Sequence, residues 1–330
     1  MVLSKFSRKG HVVNLVINDH SIRYLELKQT KPPLASKWGE RLLPNGIINN
    51  GKINDLETLS NILEECIHDW KLRNRQIRFL IPESFVIIRK LSIPADVSDE
   101  EIKGYLYLEL GTSIHLPFEE PVFDCVVLNK KEEKKEILLF AAQEENVMDY
   151  VDLFTSLNLR AIEAEISPLA LFRLYHHIDQ ARKDEDILLV QFDLNSVNIC
   201  IFENTFPFFM HHLPLEFNDD KWDITLNNHG IYELNFVGNE SNLTFQFEDT
   251  YKEINRIMDF YRYSLHQGQK QVSRIILNGD HPMLTKIKKD LEERLDVPIE
   301  TINYDQMVHT QPHLPETHYL LLGLALKGVQ

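Results

Sequence analysis

The chain has 330 residues, 43% of them hydrophobic and 26% charged, which is ordinary for a globular protein and long enough for two cores rather than one. Its formal net charge of −15 argues against a general nucleic-acid binder, because neutralising phosphates needs clustered Lys and Arg. Three separated cysteines without CxxC spacing (Cys66, Cys125, Cys200) read as buried thiols of a reducing compartment.

The opening MVLSKFSRKG leads into an alternating strand, so no signal peptide is expected. Val12–Lys28 then reads as two apolar strands around a short polar turn. Gly46 and Gly51 punctuate LPNGIINNGKIND, and Asp55 is placed to cap a helix running to about Trp70 through Leu56, Leu59, Ile62, Leu63 and Ile67. Strands follow at Gln76–Ile81 and Phe85–Ile93. Ser98 and Glu101 form a capping-box pattern opening a helix through Leu106, Leu110 and Ile114. Phe123–Leu128 and Glu136–Ala142 read as a hairpin; its tip holds the basic run Lys130–Lys135, interrupted by Glu132 and Glu133. A helix at Glu145–Leu157, a strand at Arg160–Ala164 and a helix at Pro168–His176 complete this part.

The polar stretch Asp179–Asp186 marks a boundary, after which Leu188–Glu203 repeats the hairpin design. Pro214–Phe247 looks irregular, with Leu243–Phe247 strand-like. A helix at Tyr251–Leu265, a strand at Arg274–Leu277, a helix at Met283–Leu295, a strand at Ile299–Ile302 and an apolar helix at Tyr319–Lys327 follow. No run reaches the ~18–20 apolar residues of a membrane span, and a cytosolic location is expected.

Several phrases occur in the order found in the PilM family of type IV pilus assembly proteins, relatives of the division protein FtsA. They are NLVINDHSIRYLEL, LPNGIINNGKINDLETLSNIL, PESFVIIRKLSIP, EIKGYLYLELGTSIHLP, ILLFAAQEENVMDYVDLFTSLNLRAIEAEISPLALFR and the ending LLLGLALKG. The chain resembles that family over most of residues 12–200 and 252–330. The resemblance implies an α/β, two-lobed actin-like ATPase (ribonuclease H-like) fold. Lobe one would take its core from 1–83 and 159–186, an inserted α+β subdomain would span 84–158, and lobe two would span 187–330.

In this fold the hairpin turns grip the phosphates of Mg-ATP. By alignment Val16 stands where the family has an acidic residue, and Asn18 where it has glycine. Asn18 tolerates positive φ, so the turn itself can persist. In the second hairpin Asp193 keeps the acidic position, Asn195 replaces glycine and Ser196 remains. Of a glycine-rich adenosine signature, LNGDHP keeps only Gly279, and Asp280 adds an unfavourable negative charge. The family's G-G and A-E-x-x-K are missing from His211–Tyr251. No cofactor is expected, and Asn18, Asp193, Asn195, Ser196 and Gly279 would mark a degenerate nucleotide cleft.

Other chemistry has weaker support. His309, His313 and His318 are broken up by Pro312 and Pro315 and read as a surface connection rather than a metal site. FPFFM at 206–210 reads as a strand end packed inward. YLLLGLALK lacks the basic face of a membrane anchor and is assigned to the core of lobe two. The resemblance implies a scaffold that binds the N-terminal tail of a PilN-like bitopic membrane protein, with Ile88, Leu106 and Leu110 as candidate lining residues. A pilus assembly ATPase or platform protein and self-association are further partners it leaves open. The alternatives are a nucleotide-dependent actin-like ATPase and an FtsA-like polymerising protein.

Overall fold

The computed structural model describes residues 12–178, 180–182, 184–216, 219–226, 232–304 and 313–329. They fall into two units, one from the described residues within 1–81, 149–181 and 303–330, the other from those within 82–148 and 182–302.

Unit 1 is built on β1 (Val13–Ile17), β2 (Ser21–Thr30), β3 (Pro33–Leu42), a small β4 (Ile48–Asn49)/β5 (Lys52–Ile53) hairpin, α1 (Leu56–Trp70) and β6 (Gln76–Leu80). The Asp55 carboxylate accepts Thr58 N–H at 3.0 Å, and Lys71 closes α1 in a left-handed conformation at φ 60°. Leu59, Leu63, Cys66 and Ile67 form the buried face of α1, as the helical spacing predicts. Burial pushes the Cys66 thiol up to about 12.

Unit 2 begins with β7 (Val86–Pro94), α2 (Ile102–Glu109), β8 (Pro121–Lys130) and β9 (Lys134–Gln143), and the boundary between units falls within α3 (Glu144–Ser156). β10 (Arg160–Glu165) and α4 (Ser167–His177) return to unit 1. Then come β11 (Asp186–Phe192), β12 (Ser196–Glu203), β13 (Phe206–Pro214), β14 (Trp222–Leu226), β15 (Tyr232–Phe236), α5 (Glu240–Asp259), β16 (Arg274–Asn278), α6 (Leu284–Glu292), β17 (Ile299–Thr301) and α7 (Tyr319–Ala325).

The two large sheets share one topology. The first runs β10-β6-β1-β2-β3 and the second β17-β16-β11-β12-β13. In each, three consecutive strands form an antiparallel meander, and two later strands add in parallel beside the first. The repeat heard in the two hairpins therefore extends to whole sheets. β7-β9-β8 forms a separate three-stranded sheet covered by α2, with Leu106, Ile137 and Leu139 at its centre.

Three expectations are corrected. α2 stops at Glu109, because Leu110 turns extended and Gly111 takes φ +81°; Ile114 lies beyond the helix. Leu243–Phe247 belongs to α5, capped by the Asn239 side chain accepting Ser241 N–H at 2.9 Å, and Leu243 and Phe247 lie on its buried face. α7 belongs to unit 1, not to the core of lobe two, because it packs on α4, β1 and β2. Residues 82–148 lie in the same unit as 182–302, with β7 beside β13.

Candidate functional site

The first hairpin turn is closed by Asn18 N–H donating to Ser21 O at 3.0 Å, leaving Asp19 and His20 as its loop. Asn18 Oδ1 then accepts Ser21 N–H at 2.7 Å, Ser21 Oγ–H at 2.9 Å and His20 N–H at 3.3 Å. Positive φ occurs at Asn50, Lys71 and Asn74, for example, but at neither Asn18 nor Asn195. The turn thus persists through a side-chain oxygen that mimics a backbone acceptor, not through left-handed backbone. The Asp19 carboxylate accepts Asn50 N–H at 2.6 Å and Gly51 N–H at 2.9 Å, bracing this turn on the β4–β5 turn.

The second turn is closed in the same way, by Asp193 N–H donating to Ser196 O at 2.8 Å around Leu194 and Asn195. Since Ile17 pairs with Ile22 and Phe192 with Val197, the closing residues Asn18 and Asp193 are equivalent, and so are Val16 and Gln191. Within this chain, Asp193 thus stands at the place of Asn18, and Gln191 at the place of Val16. Neither turn has a carboxylate at that place to order a hydrated Mg²⁺. Asn195 contributes its carbonyl, which accepts Leu215 N–H at 2.7 Å, and Ser196 starts β12 opposite Pro214.

Asp193 as a residue is only half-buried, but its carboxyl end is enclosed. Burial, and after it the negative charge of Asp280, pushes that carboxyl well above the usual carboxylate range; a bond from Gln191 opposes the shift. Asp193 Oδ1 accepts Asp280 N–H at 3.2 Å, while Asp280 Oδ1 accepts Leu194 N–H at 2.9 Å. Gly279 sits at φ +140°, and a Cβ there would come within 2.0 Å of Phe192 O. Its retention is thus explained by packing against β11. Asp280 and His281 are the residues of this connection that sequence reasoning undervalued.

In the inserted subdomain, Leu106 is fully buried against Ile137 and Leu139, so it is core and not a groove wall. Ile88, opposite Phe140 on β9, and Leu110 are half-buried. The exposed apolar side chains of α2 are instead Tyr107 (69%) and Leu108 (76%). The helical pattern favoured the inward residues, and two adjacent outward apolar residues were the signal it passed over.

His309 lies outside the described residues. His318 is buried, with Nε2 3.2 Å from Gly39 O and Nδ1 3.1 Å from Thr317 Oγ1, and among the described residues no group of three His, Cys, Asp or Glu could hold a metal. Phe206 is 39% exposed, so the 206–210 segment is not wholly inward. No described helix is long and apolar enough to cross a membrane.

Two sheets of this one topology, each opening on a hairpin with a two-residue loop, define an actin-like ATPase fold. A family model for the type IV pilus assembly protein PilM matches residues 15–213, and the chain belongs to that family. Among solved structures it is similar to the PilM-PilN type IV pilus biogenesis complex, with a TM-score of 0.76 and 18% identity over 97% of this chain and 99% of that one. It is also similar to the ethanolamine utilization protein EutJ from Carboxydothermus hydrogenoformans, with a TM-score of 0.51 and 11% identity over 97% of this chain and 90% of that one.

Proposed function

We propose that this chain is a scaffold of a type IV pilus-like assembly machine that works without nucleotide turnover. The observation that carries the reading is the make-up of the two hairpin turns. Val16 and Gln191 replace oxygen-anion ligands, and the turn amides of Ser21 and Leu194 donate to Asn18 and Asp280 of the same chain. A phosphate grip needs free N–H groups and a nearby acid to order metal water, and these residues supply neither. Asn18 then serves as a turn-former of the first hairpin, and Asp193, Asn195, Ser196 and Gly279 serve the second hairpin and its connection.

The structural similarity to a PilM solved with PilN supports a PilN-like tail as the partner. Such a tail would dock extended, using backbone bonds for affinity and side-chain contacts for choice. The inserted subdomain offers Tyr107 and Leu108, flanked by half-buried Leu110, as the apolar contact, with Ile88 as a secondary candidate. The scaffold would sit at the inner face of the membrane through this partner, with a pilus assembly ATPase or platform protein as further contacts.

Calorimetry with Mg-ATP and with a peptide from the N-terminus of the PilN-like protein tests the reading. The expected result is saturable peptide binding and no nucleotide heat. Micromolar Mg-ATP binding would overturn it.

A further inference from the structure

The β16–α6 connection holds the tip of β11 at three consecutive residues. Gly279 lies so close to Phe192 that a Cβ would be 2.0 Å from its O, 2.5 Å from its C and 2.7 Å from its N. His281 N–H donates to Phe192 O at 3.1 Å, and the buried ring lies edge-on to Phe192 (5.7 Å), Phe247 (5.1 Å) and Trp222 (5.7 Å). Asp280, between these two anchors, has little freedom to swing away.

Leu194 is the first loop residue of the second hairpin, where a phosphate-gripping turn would present a backbone N–H to an anion. We propose that Asp280 is an internal anion: its carboxylate holds the Leu194 N–H that an external phosphate would otherwise take. The reciprocal bond from Asp280 N–H to Asp193 Oδ1 completes an autoinhibitory strap between the two connections. This rests on the nucleotide-free reading above and adds a cause to it. The chain has placed a negative charge of its own on the turn. Asp193, with its carboxyl pushed toward the neutral form, leaves that charge single rather than doubled. An incoming phosphate must displace a tethered carboxylate at very high effective concentration, and must meet the like charge it displaces.

The test follows the Leu194 amide in the full chain by hydrogen exchange and by residue-resolved NMR, in wild type, Asp280→Ala and Asp280→Asn. Alanine removes the acceptor, and position 280 is not among the positive-φ residues, so no strain is added. Asparagine keeps an acceptor oxygen without the charge and preserves the strap's shape if alanine loosens it. The expected result is exchange at Leu194 ten-fold or more faster in Asp280→Ala, and less so in Asp280→Asn. The Leu194 signal of Asp280→Ala should move saturably with inorganic phosphate, and that of wild type should not. An unchanged exchange rate in both variants, or no phosphate response in Asp280→Ala, overturns the proposal. Mg-ATP binding by wild type that leaves Leu194 unmoved sinks the scaffold reading alone and leaves the internal anion standing.

Discussion

The Asp193 carboxyl, just beyond the end of β11, and the Gln191 carboxamide lie in direct contact, with Asp193 Oδ2 against the Gln191 amide. With the carboxyl in its neutral form, a half-turn of that amide lets Asp193 O–H donate to Gln191 Oε1, an oxygen otherwise buried without a partner. A carboxyl whose folded pKa is raised contributes stability fully below its unfolded value of about 3.9, and loses it as pH rises through the folded value. Asp193→Asn, which copies the neutral acid, should match wild type near pH 4 and become more stable relative to it as pH rises above that through the folded value. Urea midpoints across that range check this; parallel curves would rule it out.

His318 has the opposite sign. Burial, reinforced by the Arg23 charge, lowers it to about 3, so the neutral ring donates through Nε2 to Gly39 O. Its contribution is fully present above the unfolded value of about 6.5 and is lost as pH falls from there toward 3. His318→Gln should flatten the acid limb of the stability curve between pH 6 and 4, read by thermal melting.

Gly279→Ala combines a strained φ with a backbone clash against Phe192 and should cost about 3 kcal/mol or more. Gly111, at φ +81° with nothing within 4 Å of a built Cβ, is the control, and Gly111→Ala should cost only about 1 kcal/mol. Denaturant unfolding separates the two; equal costs would mean that the approach to β11 is not tight.

Leu106→Ala should destabilise by about 2–5 kcal/mol as a core truncation. Leu108→Ser and Tyr107→Ser, both outward, should stay within about 0.5 kcal/mol of wild type. On the proposed docking surface, the outward pair should nevertheless weaken binding of the PilN-like peptide ten-fold or more. Full affinity in the double variant would place the contact elsewhere.

Strand alternation made the hairpins legible, and the Asp55 cap made α1 legible, because those signals are local. Leu243, Phe245 and Phe247 misled because they alternate like a strand; Phe245 is 73% exposed, and the buried set continues at helical spacing through Tyr251 and Ile254. The alignment could not reveal that Gln191 matches Val16, since turn register is set by pairing across the hairpin. The partner of α7 was also hidden, because an apolar helix does not name the surface it covers. Gly323 was the available hint: a Cβ there would be 2.0 Å from Ala170 O, the mark of a close crossing with α4.

That crossing orders events during synthesis. Unit 1 is drawn from three stretches of chain, and the stretch bearing α7 emerges only after the whole of unit 2. The earliest strands, β1 and β2, therefore wait on the ribosome with the face that α7 covers still open, while unit 2 can already close. A nascent chain of this protein should lean on chaperones through its first strands, and a lesion in α7 should harm solubility before it harms any binding surface.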